Sequence, residues 1–436
     1  MIMLNLKSEI KNSKNYFVWT IGCQMNIADS QKLESAFDNM GLGKSDSVQD
    51  ARVVVLNSCV VRKSAESKVE SMLGTLKSVK TLFPEKIFVL MGCMVGPKTD
   101  DLKKRFPYVD IFAQPQKLEP IVDFISNKMG VDSEGCLESI TVAPDVAAYI
   151  PIIHGCDKFC SFCIIPYRRG REVSREIKDI VNEVELLTAR GVQEVTLLGQ
   201  NVDSYGHDLE PGNRLEDLLS AVNEVKGIKR IRFLTSHPND MSDQIIKAVS
   251  KLDKVCEHFN LPFQAGDDEI LKSMRRGYTN LEFRNLVEKI RNYIPKASFA
   301  TDIIVGFCGE TELQFQETLD LVQEMRFDKV HAAAYSPRKG TISDRMMEDS
   351  VSKEIKRDRL ESIWELQESV QSEINKDLVG QEFEVLIEGK KKEKFFGRTR
   401  SDKLVFIDTD TDRINEFVNV KINSSTAWSL QGTILN

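Results

Sequence analysis

The chain has 436 residues, of which 41% are hydrophobic and 29% are charged, and its formal net charge at pH 7 is -7. This length predicts about two or three globular domains. No apolar run approaches the roughly 20 residues of a membrane span, and the N-terminus lacks the basic-then-apolar order of a secretory signal, so we expect a cytoplasmic protein without a membrane partner. The negative charge argues against broad electrostatic nucleic-acid binding but leaves room for a local basic surface. Nine cysteines, an odd number, favour metal ligation over a disulfide framework.

The N-terminal segment, residues 1–128, alternates short apolar runs with helical patterns. The clearest helix is predicted over Asp29–Met40, with Asp29 or Ser30 as its cap and Gly41 as its stop. Alternation of this kind predicts a parallel α/β sheet. The strand-like runs are rich in β-branched and aromatic residues and cover Tyr16–Gly22, Arg52–Asn57 and Lys86–Gly92.

Three cysteines repeat one position in this segment. Cys23, Cys59 and Cys93 each lie just past the carboxyl end of one predicted strand. Ligands bind at this edge of open α/β sheets, so three cysteines far apart in sequence are expected to converge there. The alternative is three buried small hydrophobic side chains, a common fate of free cysteine. The repeated position favours an iron–sulfur cluster with one open iron.

A polar linker is predicted over residues 129–145. It contains Gly130 and Gly135 and shows no sustained period. Cys136 lies within it and matches no metal-binding motif, so we interpret Cys136 as structural or incidental.

The central segment, residues 146–372, begins with a second group of cysteines. Cys156, Cys160 and Cys163 have Cys-x3-Cys-x2-Cys spacing. Structural zinc would need a fourth ligand. Cubane iron–sulfur clusters are usually held by four thiolates, so three leave one iron open. The triplet resembles that of the radical S-adenosylmethionine (SAM) enzymes, in which the open iron binds the amino and carboxylate groups of SAM.

Six strand-like runs alternate with helical patterns in this segment. As the resemblance implies, they predict a (β/α)6 partial barrel, with function gathered at the carboxyl ends of the strands. The runs are Tyr149–Gly155, Glu194–Gly199, Arg230–Thr235, His258–Pro262, Ser298–Gly306 and Lys329–Tyr335.

The candidate cofactor residues follow four of these strands. A lone histidine at a strand end is more often a hydrogen-bonded structural group than a functional one, and His237 is assigned with that alternative open. Cys308 stands where the family normally has proline, and Cys256 has no evident partner. By analogy with radical-SAM proteins, SAM contacts are expected from Gly199, Gln200, Asn201, Ser236, His237, Gln264 and Gly306.

Basic residues flank these motifs. Arg168 and Arg169 follow the cysteine triplet and suit either the SAM carboxylate or substrate phosphates, the alternative being a solvated face. Arg275, Arg276 and Tyr278 form a cationic and aromatic group of the kind that grips an RNA loop.

The C-terminal segment, residues 375–436, changes to a strand pattern. Its short runs predict a small antiparallel β-barrel of the oligonucleotide-binding kind. A basic hairpin carries Lys392, Phe395 and Arg398, which we expect to contact RNA, although a plain solvated hairpin is the alternative. The segment resembles a TRAM domain, an RNA-binding module. The runs are Glu382–Glu388, Phe395–Thr399, Leu404–Ile407, Phe417–Ile422 and Ser429–Ile434.

The whole chain resembles the radical-SAM methylthiotransferase family. GCQMNIADS, LNSCVVRKSAESKV and MGC match its N-terminal domain, with Ser58 where threonine is usual. The resemblance implies SAM and two [4Fe–4S] clusters, at Cys23, Cys59 and Cys93 and at Cys156, Cys160 and Cys163. We assign no catalytic side chain beyond the cluster ligands. It further implies a monomer that acts on a tRNA anticodon loop and takes electrons from flavodoxin or ferredoxin.

The local sequence around Cys23, Cys59 and Gln200 is most similar to that of the family members that add a methylthio group to carbon 2 of N6-isopentenyladenosine. One SAM would then methylate sulfur at the auxiliary cluster, and a second would yield the radical that removes hydrogen from carbon 2. Sibling activities on threonylcarbamoyl-adenosine or on a ribosomal-protein aspartate stay open. A non-catalytic zinc or iron–sulfur RNA-binding protein is a third alternative, disfavoured by the cofactor motifs.

Overall fold

The computed structural model describes residues 13–60, 63–138 and 146–435. The described residues do not include 1–12 and 436, which are the ends of two predicted segments. They also do not include 139–145 of the predicted linker. The chain forms two compact units. The N-terminal unit consists of Met1–Pro144, His154–Cys156 and Ile164–Arg171. The C-terminal unit consists of Asp145–Ile153, Asp157–Cys163 and Glu172–Asn436.

The N-terminal unit contains a five-stranded parallel sheet in the order β2-β1-β3-β4-β5. The predicted parallel α/β arrangement is therefore confirmed, and the two shortest strands, β2 and β5, had no counterpart in the sequence pattern. The strands are β1 (Asn15–Ile21), β2 (Gly43–Lys44), β3 (Val53–Ser58), β4 (Ile87–Gly92) and β5 (Ile111–Ala113). The helices are α1 (Gln24–Asn39), α2 (Lys63–Leu82), α3 (Asp100–Arg105), α4 (Glu119–Met129) and α5 (Ile165–Arg169).

The central strands of this sheet bury both faces. Val53 and Val55 point into one hydrophobic core, while Val54 and Leu56 point into the other. Both faces are covered, which explains why the strand reads as a continuous apolar run rather than an alternating one. Cys136 is buried in the first of these cores, in agreement with its interpretation as structural.

The first helix begins earlier than predicted. The sequence pattern placed its start at Asp29, but α1 begins at Gln24, with Cys23 at the N-cap. The cause is Asn26, whose Oδ1 accepts from the Cys23 backbone N–H at 3.3 Å and closes the first turn. Asp29 is therefore a buried residue inside the helix rather than its cap.

The central strands of the C-terminal unit are parallel and follow the predicted order. One sheet has the order β6-β9-β10 and the other β11-β12-β13, and a parallel bridge from Ile231 to Val255 joins β10 to the start of β11. The strands are β6 (Ala147–Pro151), β9 (Glu194–Leu198), β10 (Arg230–Leu234), β11 (His258–Asn260), β12 (Ser298–Val305) and β13 (Lys329–Ala334), with the two-residue strands β7 (Ile153–His154) and β8 (Val173–Ser174) after β6.

Helices connect these strands as a (β/α)6 arrangement requires. They are α6 (Ile177–Thr188), α7 (Leu215–Asn223), α8 (Asp243–Lys251), α9 (Asp268–Ser273), α10 (Asn280–Tyr293), α11 (Glu312–Met325), α12 (Ile342–Met346) and α13 (Lys353–Lys376), with a 3₁₀ turn at Val202–Ser204. None of the helices in the described part of the chain has the length and apolar character needed to cross a bilayer.

The last five strands close into a barrel in the order β14-β15-β16-β18-β17. The prediction of a small antiparallel barrel needs one correction, because β16 and β18 pair in parallel. The strands are β14 (Glu382–Lys391), β15 (Lys394–Arg398), β16 (Leu404–Ile407), β17 (Phe417–Ser425) and β18 (Leu430–Ile434).

Candidate metal and cofactor sites

Three cysteines of the N-terminal unit lie at one edge of its sheet. Cys23 follows β1, Cys59 follows β3 and Cys93 follows β4. These strands are neighbours and parallel, so their carboxyl ends meet at the same edge. Cys59 and Cys93 are buried, and Cys23 is exposed. Burial raises the pKa of Cys93 to about 11, although Arg169 lowers it and the nearby thiols of Cys59 and Cys23 raise it further.

A buried amide network fixes the loops that carry these cysteines. The Asn26 side chain donates to Asn57 Oδ1 at 2.9 Å and to the Ser58 backbone oxygen at 3.2 Å. Asn57 returns a hydrogen bond to the Asn26 backbone oxygen at 2.8 Å. The Cys93 backbone N–H donates to the Ser58 oxygen at 2.8 Å. All three cysteine loops are thereby joined through one network, and Asn26 has a structural role.

Gly92 and Ser58 allow the close approach of two of these loops. Gly92 has φ +93°, and a Cβ there would lie 2.4 Å from the Ser58 backbone oxygen. Any side chain would force the loops apart. The Ser58 hydroxyl donates to the Met91 backbone oxygen at 2.7 Å, a bond that the more usual threonine also provides.

Arg169 brings a buried positive charge to this edge. Its side chain is 0% exposed, and Nη2 lies 3.4 Å from Asp29 Oδ2. Burial opposes its charge, but the Cys93 thiolate and Asp29 raise its pKa above the ordinary value. Its Nε and Nη1 atoms are buried without a nitrogen or oxygen partner within the described part of the chain, and the guanidinium lies beside the Cys93 sulfur. These donors suit an anionic group held by the three thiolates, and burial removes Arg169 from direct contact with RNA.

Arg168 packs into the same unit from α5. A Cβ on Gly96 would lie 2.0 Å from Arg168 Nη1, so this glycine makes room for the guanidinium. Burial lowers the pKa of Arg168, against the raising effect of Cys93. Arg168 is therefore only partly available to an external phosphate.

The second cysteine triplet is divided between the two units. In the N-terminal unit, the Cys156 backbone N–H donates to the Gly170 oxygen at 3.2 Å. In the C-terminal unit, the Cys163 N–H donates to the Cys160 oxygen at 3.0 Å, and Arg276 Nη1 lies 3.3 Å from Cys160 Sγ. Among the described residues, no three His, Cys, Asp or Glu side chains are arranged to hold a single metal ion.

Asn201 is fixed at the end of β9. Its Nδ2 donates to Asp240 Oδ2 at 2.5 Å, and Lys158 pairs with the other oxygen of Asp240 at 2.7 Å. Gly199 is required at the same strand end, because a Cβ there would lie 2.5 Å from the Ile153 side chain. Gln200, between them, is partly exposed.

The polar groups after β10 converge on Asp203, which sequence reasoning missed. Ser236 Oγ donates to Asp203 Oδ1 at 2.9 Å, and the His237 backbone N–H donates to Oδ2 at 3.0 Å. Burial raises the pKa of Asp203 to about 7, although these hydrogen bonds lower it. Burial, with Arg276 and Lys158, lowers the pKa of His237 to about 2, so its imidazole is neutral. The Ser236 hydroxyl is thus occupied within the protein.

Gln264 and Gly306 lie at the last two predicted positions. Gln264 is buried with φ +74°. Gly306 has φ +68°, and a Cβ there would meet the Lys356 side chain at 2.4 Å. Cys308, two residues later, is half-buried.

Three of the predicted cofactor residues share an unusual feature. Each keeps one buried polar atom without a hydrogen-bond partner in the described part of the chain: Asn201 Oδ1, His237 Nε2 and Gln264 Oε1. Buried polar atoms are normally paired, so such orphans call for an unseen partner. All three follow the strands of one parallel assembly, and they fit a polar cofactor bound at its carboxyl edge.

The predicted RNA-contacting residues fall into two groups. Arg275 and Lys392 are exposed. Arg276 and Tyr278 are buried, and Tyr278 OH donates to the Phe263 oxygen at 2.7 Å, so they cannot grip an RNA loop directly.

The hairpin of the C-terminal barrel requires a similar correction. Phe395 is 3% exposed and packs in the barrel core, so it has no free face for a base. Arg398 pairs with Asp402 at 3.2 Å and Glu388 at 3.5 Å. Phe396 lies on the opposite face of β15, beside Phe406, with ring centroids 6.5 Å apart. Strand alternation predicts this exchange of Phe395 for Phe396.

Three family models match the chain in succession. They are the uncharacterized protein family UPF0004 over residues 15–114, the radical SAM superfamily over residues 150–322 and the TRAM domain over residues 376–435.

Curated relatives match over nearly the whole chain. A protein of Dehalococcoides mccartyi (strain CBDB1) named tRNA-2-methylthio-N(6)-dimethylallyladenosine synthase is 45% identical, covering 97% of this chain and 98% of its own. Proteins of the same name from Chloroflexus aurantiacus and Acetivibrio thermocellus are 44% and 42% identical, covering 98% and 99% of this chain and 92% and 94% of their own.

Solved structures share the fold at low identity. The radical SAM methyltransferase TsrM from Kitasatospora setae, with cobalamin and a [4Fe–4S] cluster bound, is 14% identical with a TM-score of 0.56, covering 74% of this chain and 75% of its own. The cobalamin-dependent SAM radical enzyme OxsB is 11% identical with a TM-score of 0.51, covering 82% of this chain and 56% of its own.

Proposed function

The chain belongs to the radical-SAM methylthiotransferases that modify tRNA, and we propose that it adds a methylthio group to carbon 2 of N6-isopentenyladenosine beside the anticodon. The substrate follows from the name of its full-length relatives, which are 42–45% identical. An unactivated aromatic C–H bond has no useful acidity, so cofactor chemistry is needed to replace it. When bound, the radical-SAM cluster and SAM supply the electron, the radical and the methyl group, and the auxiliary cluster holds the sulfur, whose donor the sequence does not identify.

We assign Cys23, Cys59 and Cys93 as the ligands of the auxiliary [4Fe–4S] cluster. The observation that carries this assignment is their position at the carboxyl ends of three adjacent strands, beside the buried Arg169. A four-iron cube is larger than one ion and takes thiolates that are more widely spaced. A cluster held by thiolates is anionic, and the buried donors of Arg169 provide its counter-charge.

We assign Cys156, Cys160 and Cys163 to the radical-SAM cluster from their sequence spacing. For SAM itself, Asn201, His237 and Gln264 offer the buried atoms that lack partners. His237 Nδ1 accepts from the Asn239 backbone N–H at 3.3 Å, so the Nε2 atom of the neutral imidazole carries the proton and can donate one hydrogen bond without adding charge beside the SAM sulfonium. Gly199 and Gly306 allow close backbone approach, and the exposed edge of Gln200 is proposed to contact the amino group. Ser236 supports the site through Asp203 rather than touching SAM.

The RNA contacts are proposed for two exposed basic residues and two half-buried aromatic residues. Arg275 and Lys392 can reach phosphates, and Phe396 with Phe406 offers an aromatic surface on the C-terminal barrel. The target base lies in a single-stranded loop, so it can be turned into the site without melting a helix.

The domain organisation is proposed as it was predicted from the sequence. Residues 1–128 would hold the auxiliary cluster, 129–145 would be a linker, 146–372 the radical-SAM domain and 375–436 the RNA-binding barrel. We further propose that the protein acts as a monomer and accepts electrons from a flavodoxin or a ferredoxin. Size determination in solution and reduction assays with each donor test these points.

Mass spectrometry of tRNA nucleosides tests the proposed reaction. Cells lacking the gene should lose 2-methylthio-N6-isopentenyladenosine and accumulate its unthiolated precursor. Complementation with Cys308→Ser should restore the product, and Cys160→Ala should not. Loss of the threonylcarbamoyl counterpart instead would keep the chemistry and change the substrate. An unchanged nucleoside profile would overturn the tRNA assignment.

A further inference from the structure

We infer that Arg276 is a positioning residue that donates a hydrogen bond to the Cys160 thiolate and raises the reduction potential of the cluster which Cys160 holds. The inference rests on the proposed function, in which Cys160 is a cluster ligand. Neither the cysteine spacing nor the cofactor motifs identify Arg276, and sequence reasoning placed it at the RNA surface.

Hydrogen bonds hold the Arg276 guanidinium in one orientation. Nη1 lies 3.3 Å from Cys160 Sγ, Nη2 donates to the Pro262 oxygen at 2.9 Å, and Nε donates to Tyr278 OH at 3.1 Å. Tyr278 in turn donates to the Phe263 oxygen at 2.7 Å. The residue is 5% exposed, so the sulfur contact is shielded from water. Each of its three nitrogens has a partner, so the guanidinium cannot turn away from the sulfur without losing the hydrogen bonds to Pro262 and Tyr278.

The backbone of this turn is fixed as well. The Arg276 N–H donates to the Leu271 oxygen at 2.9 Å, and Asn239 Nδ2 donates to the oxygens of Arg276 and Gly277 at 3.1 and 3.0 Å. Gly277 adopts φ +72°, which suits glycine. The turn therefore holds the guanidinium in place before any cofactor binds.

The cysteine segment is joined to the same turn at a second point. The Ser161 N–H donates to the Met274 oxygen at 3.0 Å, and Ser161 Oγ donates to the Ser273 oxygen at 2.8 Å. Cys160 and Arg276 thus belong to two backbone segments that are hydrogen-bonded to each other. The distance between sulfur and guanidinium is set by these backbone bonds rather than by the side chains alone.

A buried positive charge at this distance affects the two redox states of a cluster differently. One-electron reduction adds negative charge, so the hydrogen bond and the charge stabilise the reduced state more than the oxidised state. Hydrogen bonds to sulfur, net charge and solvent exposure are the factors that set iron–sulfur potentials. A charge buried in protein acts more strongly than one in water. An arginine that only supported Pro262 and Tyr278 would leave the potential unchanged.

The test is an EPR-monitored redox titration of the reconstituted, full-length protein. The cluster signal that changes on addition of SAM reports the Cys156, Cys160 and Cys163 site. In Arg276→Met we expect the ratio of reduced to oxidised cluster at a fixed potential to fall about tenfold, which is about 59 mV for one electron. Arg276→Lys should recover part of the loss. Lys289→Met, which removes an exposed positive charge on α10, should leave the potential unchanged.

The outcomes separate this inference from the proposed function. A wild-type protein without a SAM-sensitive cluster would overturn the proposed function. A normal SAM-sensitive signal with an unchanged potential in Arg276→Met would overturn the role of Arg276 alone. If Arg276→Met does not assemble the cluster, Arg276→Gln provides a second neutral variant that keeps a hydrogen-bond donor. This variant still removes the buried positive charge, so we expect its potential to fall below the wild-type value. An unchanged potential in Arg276→Gln would overturn the inference that the charge of Arg276 raises the potential.

Discussion

Arg230 holds Glu384 of the C-terminal barrel with one nitrogen atom. Its Nη2 donates to the Glu384 backbone oxygen at 2.7 Å and to Glu384 Oε1 at 2.9 Å, while Nη1 donates to the Arg398 oxygen at 2.8 Å. Arg230 is the first residue of β10, and its side chain is fully buried. The barrel is therefore attached at the amino-terminal edge of the central strands.

Further contacts attach the barrel to the same amino-terminal edge of the central strands. Arg232 donates to the Thr399 oxygen at 2.7 Å, Arg400 pairs with Glu257 at 2.8 Å, and Ser298 Oγ donates to the Ser401 oxygen at 3.1 Å. The candidate SAM residues follow the opposite ends of the same parallel strands, about 20 Å away for a strand of average length. In the proposed function, the barrel would therefore hold RNA at a distance from the candidate SAM residues.

Arg230→Met should destabilise the attachment of the barrel. The substitution removes the donor to two backbone oxygens of the barrel, while the buried Glu194 keeps its pair with Arg232 at 2.8 Å. A buried acceptor left unsatisfied costs about 1–3 kcal/mol, so we expect a loss of that order for each oxygen. Urea unfolding measures the loss of stability, and limited proteolysis between the central strands and the C-terminal barrel measures the loss of attachment. Arg413→Met removes a solvent-exposed pair with Glu416 and should change stability by less than about 0.5 kcal/mol. Equal effects of the two variants would contradict the role of Arg230.

Phe396→Ala and Lys392→Gln should weaken RNA binding without slowing the chemistry. The barrel is remote from the carboxyl edge, and loss of one aromatic stacking partner costs about 1–3 kcal/mol. We expect a KM for tRNA raised about tenfold or more, with kcat unchanged, in steady-state assays. Lys421→Gln, on the exposed face of β17, is the matched control. A lower kcat at saturating tRNA would show that the barrel takes part in the reaction step.

The long strands could be predicted because a strand that is buried on both faces has a continuous run of apolar residues. Strands β2 and β5 have two and three residues, too few to show a period. The parallel pairing of β16 with β18 joins segments that are distant along the chain, so no local pattern records it.

The candidate site was harder to predict at residues whose charge or polarity suggested that they would be exposed to solvent. Arginine is usually found at the surface and tyrosine is intermediate, yet Arg276 and Tyr278 are both buried because backbone carbonyls accept their hydrogen bonds. The local pattern does carry a signal, since Met274, Arg276 and Tyr278 are buried while Arg275 and Gly277 are exposed. A period of two in a turn is a weak indication, and only the tertiary structure resolves it.

Substitution of single cysteines should show that the iron is held at two separate sites. Cys93→Ala and Cys160→Ala should each remove about half of the iron, because each triplet is expected to hold its own cluster. Iron analysis of reconstituted protein with EPR measures this, and only Cys160→Ala should abolish the SAM-sensitive signal. Cys308→Ser should keep the full iron content, because Cys308 belongs to neither triplet. Loss of all iron in both variants would indicate one shared centre.

Acid should destabilise the fold through His258. Burial lowers the pKa of His258 to about 4, against an ordinary value of 6.5. The unfolded chain therefore binds a proton below pH 6.5 that the folded protein does not bind until about pH 4. Stability from this group is fully present above pH 6.5 and is lost as pH falls towards 4, by roughly 1.4 kcal/mol per pH unit.

His258→Asn should remove that dependence. Asparagine can keep a polar atom near Ser298 Oγ, which lies 2.8 Å from His258 Nδ1, but it takes up no proton. In urea unfolding at pH 4 to 7, we expect the slope of unfolding free energy against pH to decrease by about one proton relative to the wild type. The same slope in both proteins would show that His258 is not a buried neutral group.

Arg169→Met separates stability from cluster binding at the auxiliary site. The variant leaves Asp29 buried without its partner, so we expect a loss of about 3–5 kcal/mol in the unfolding of the apoprotein. Burial already raises the pKa of Asp29 against the lowering effect of Arg169, so the loss should shrink at acidic pH as Asp29 takes up a proton. The double variant Arg169→Met, Asp29→Asn removes both charges and should recover most of the stability. It should still fail to retain iron at Cys23, Cys59 and Cys93, because the counter-charge for an anionic cluster is absent. Full auxiliary iron in the double variant would show that the role of Arg169 ends with Asp29.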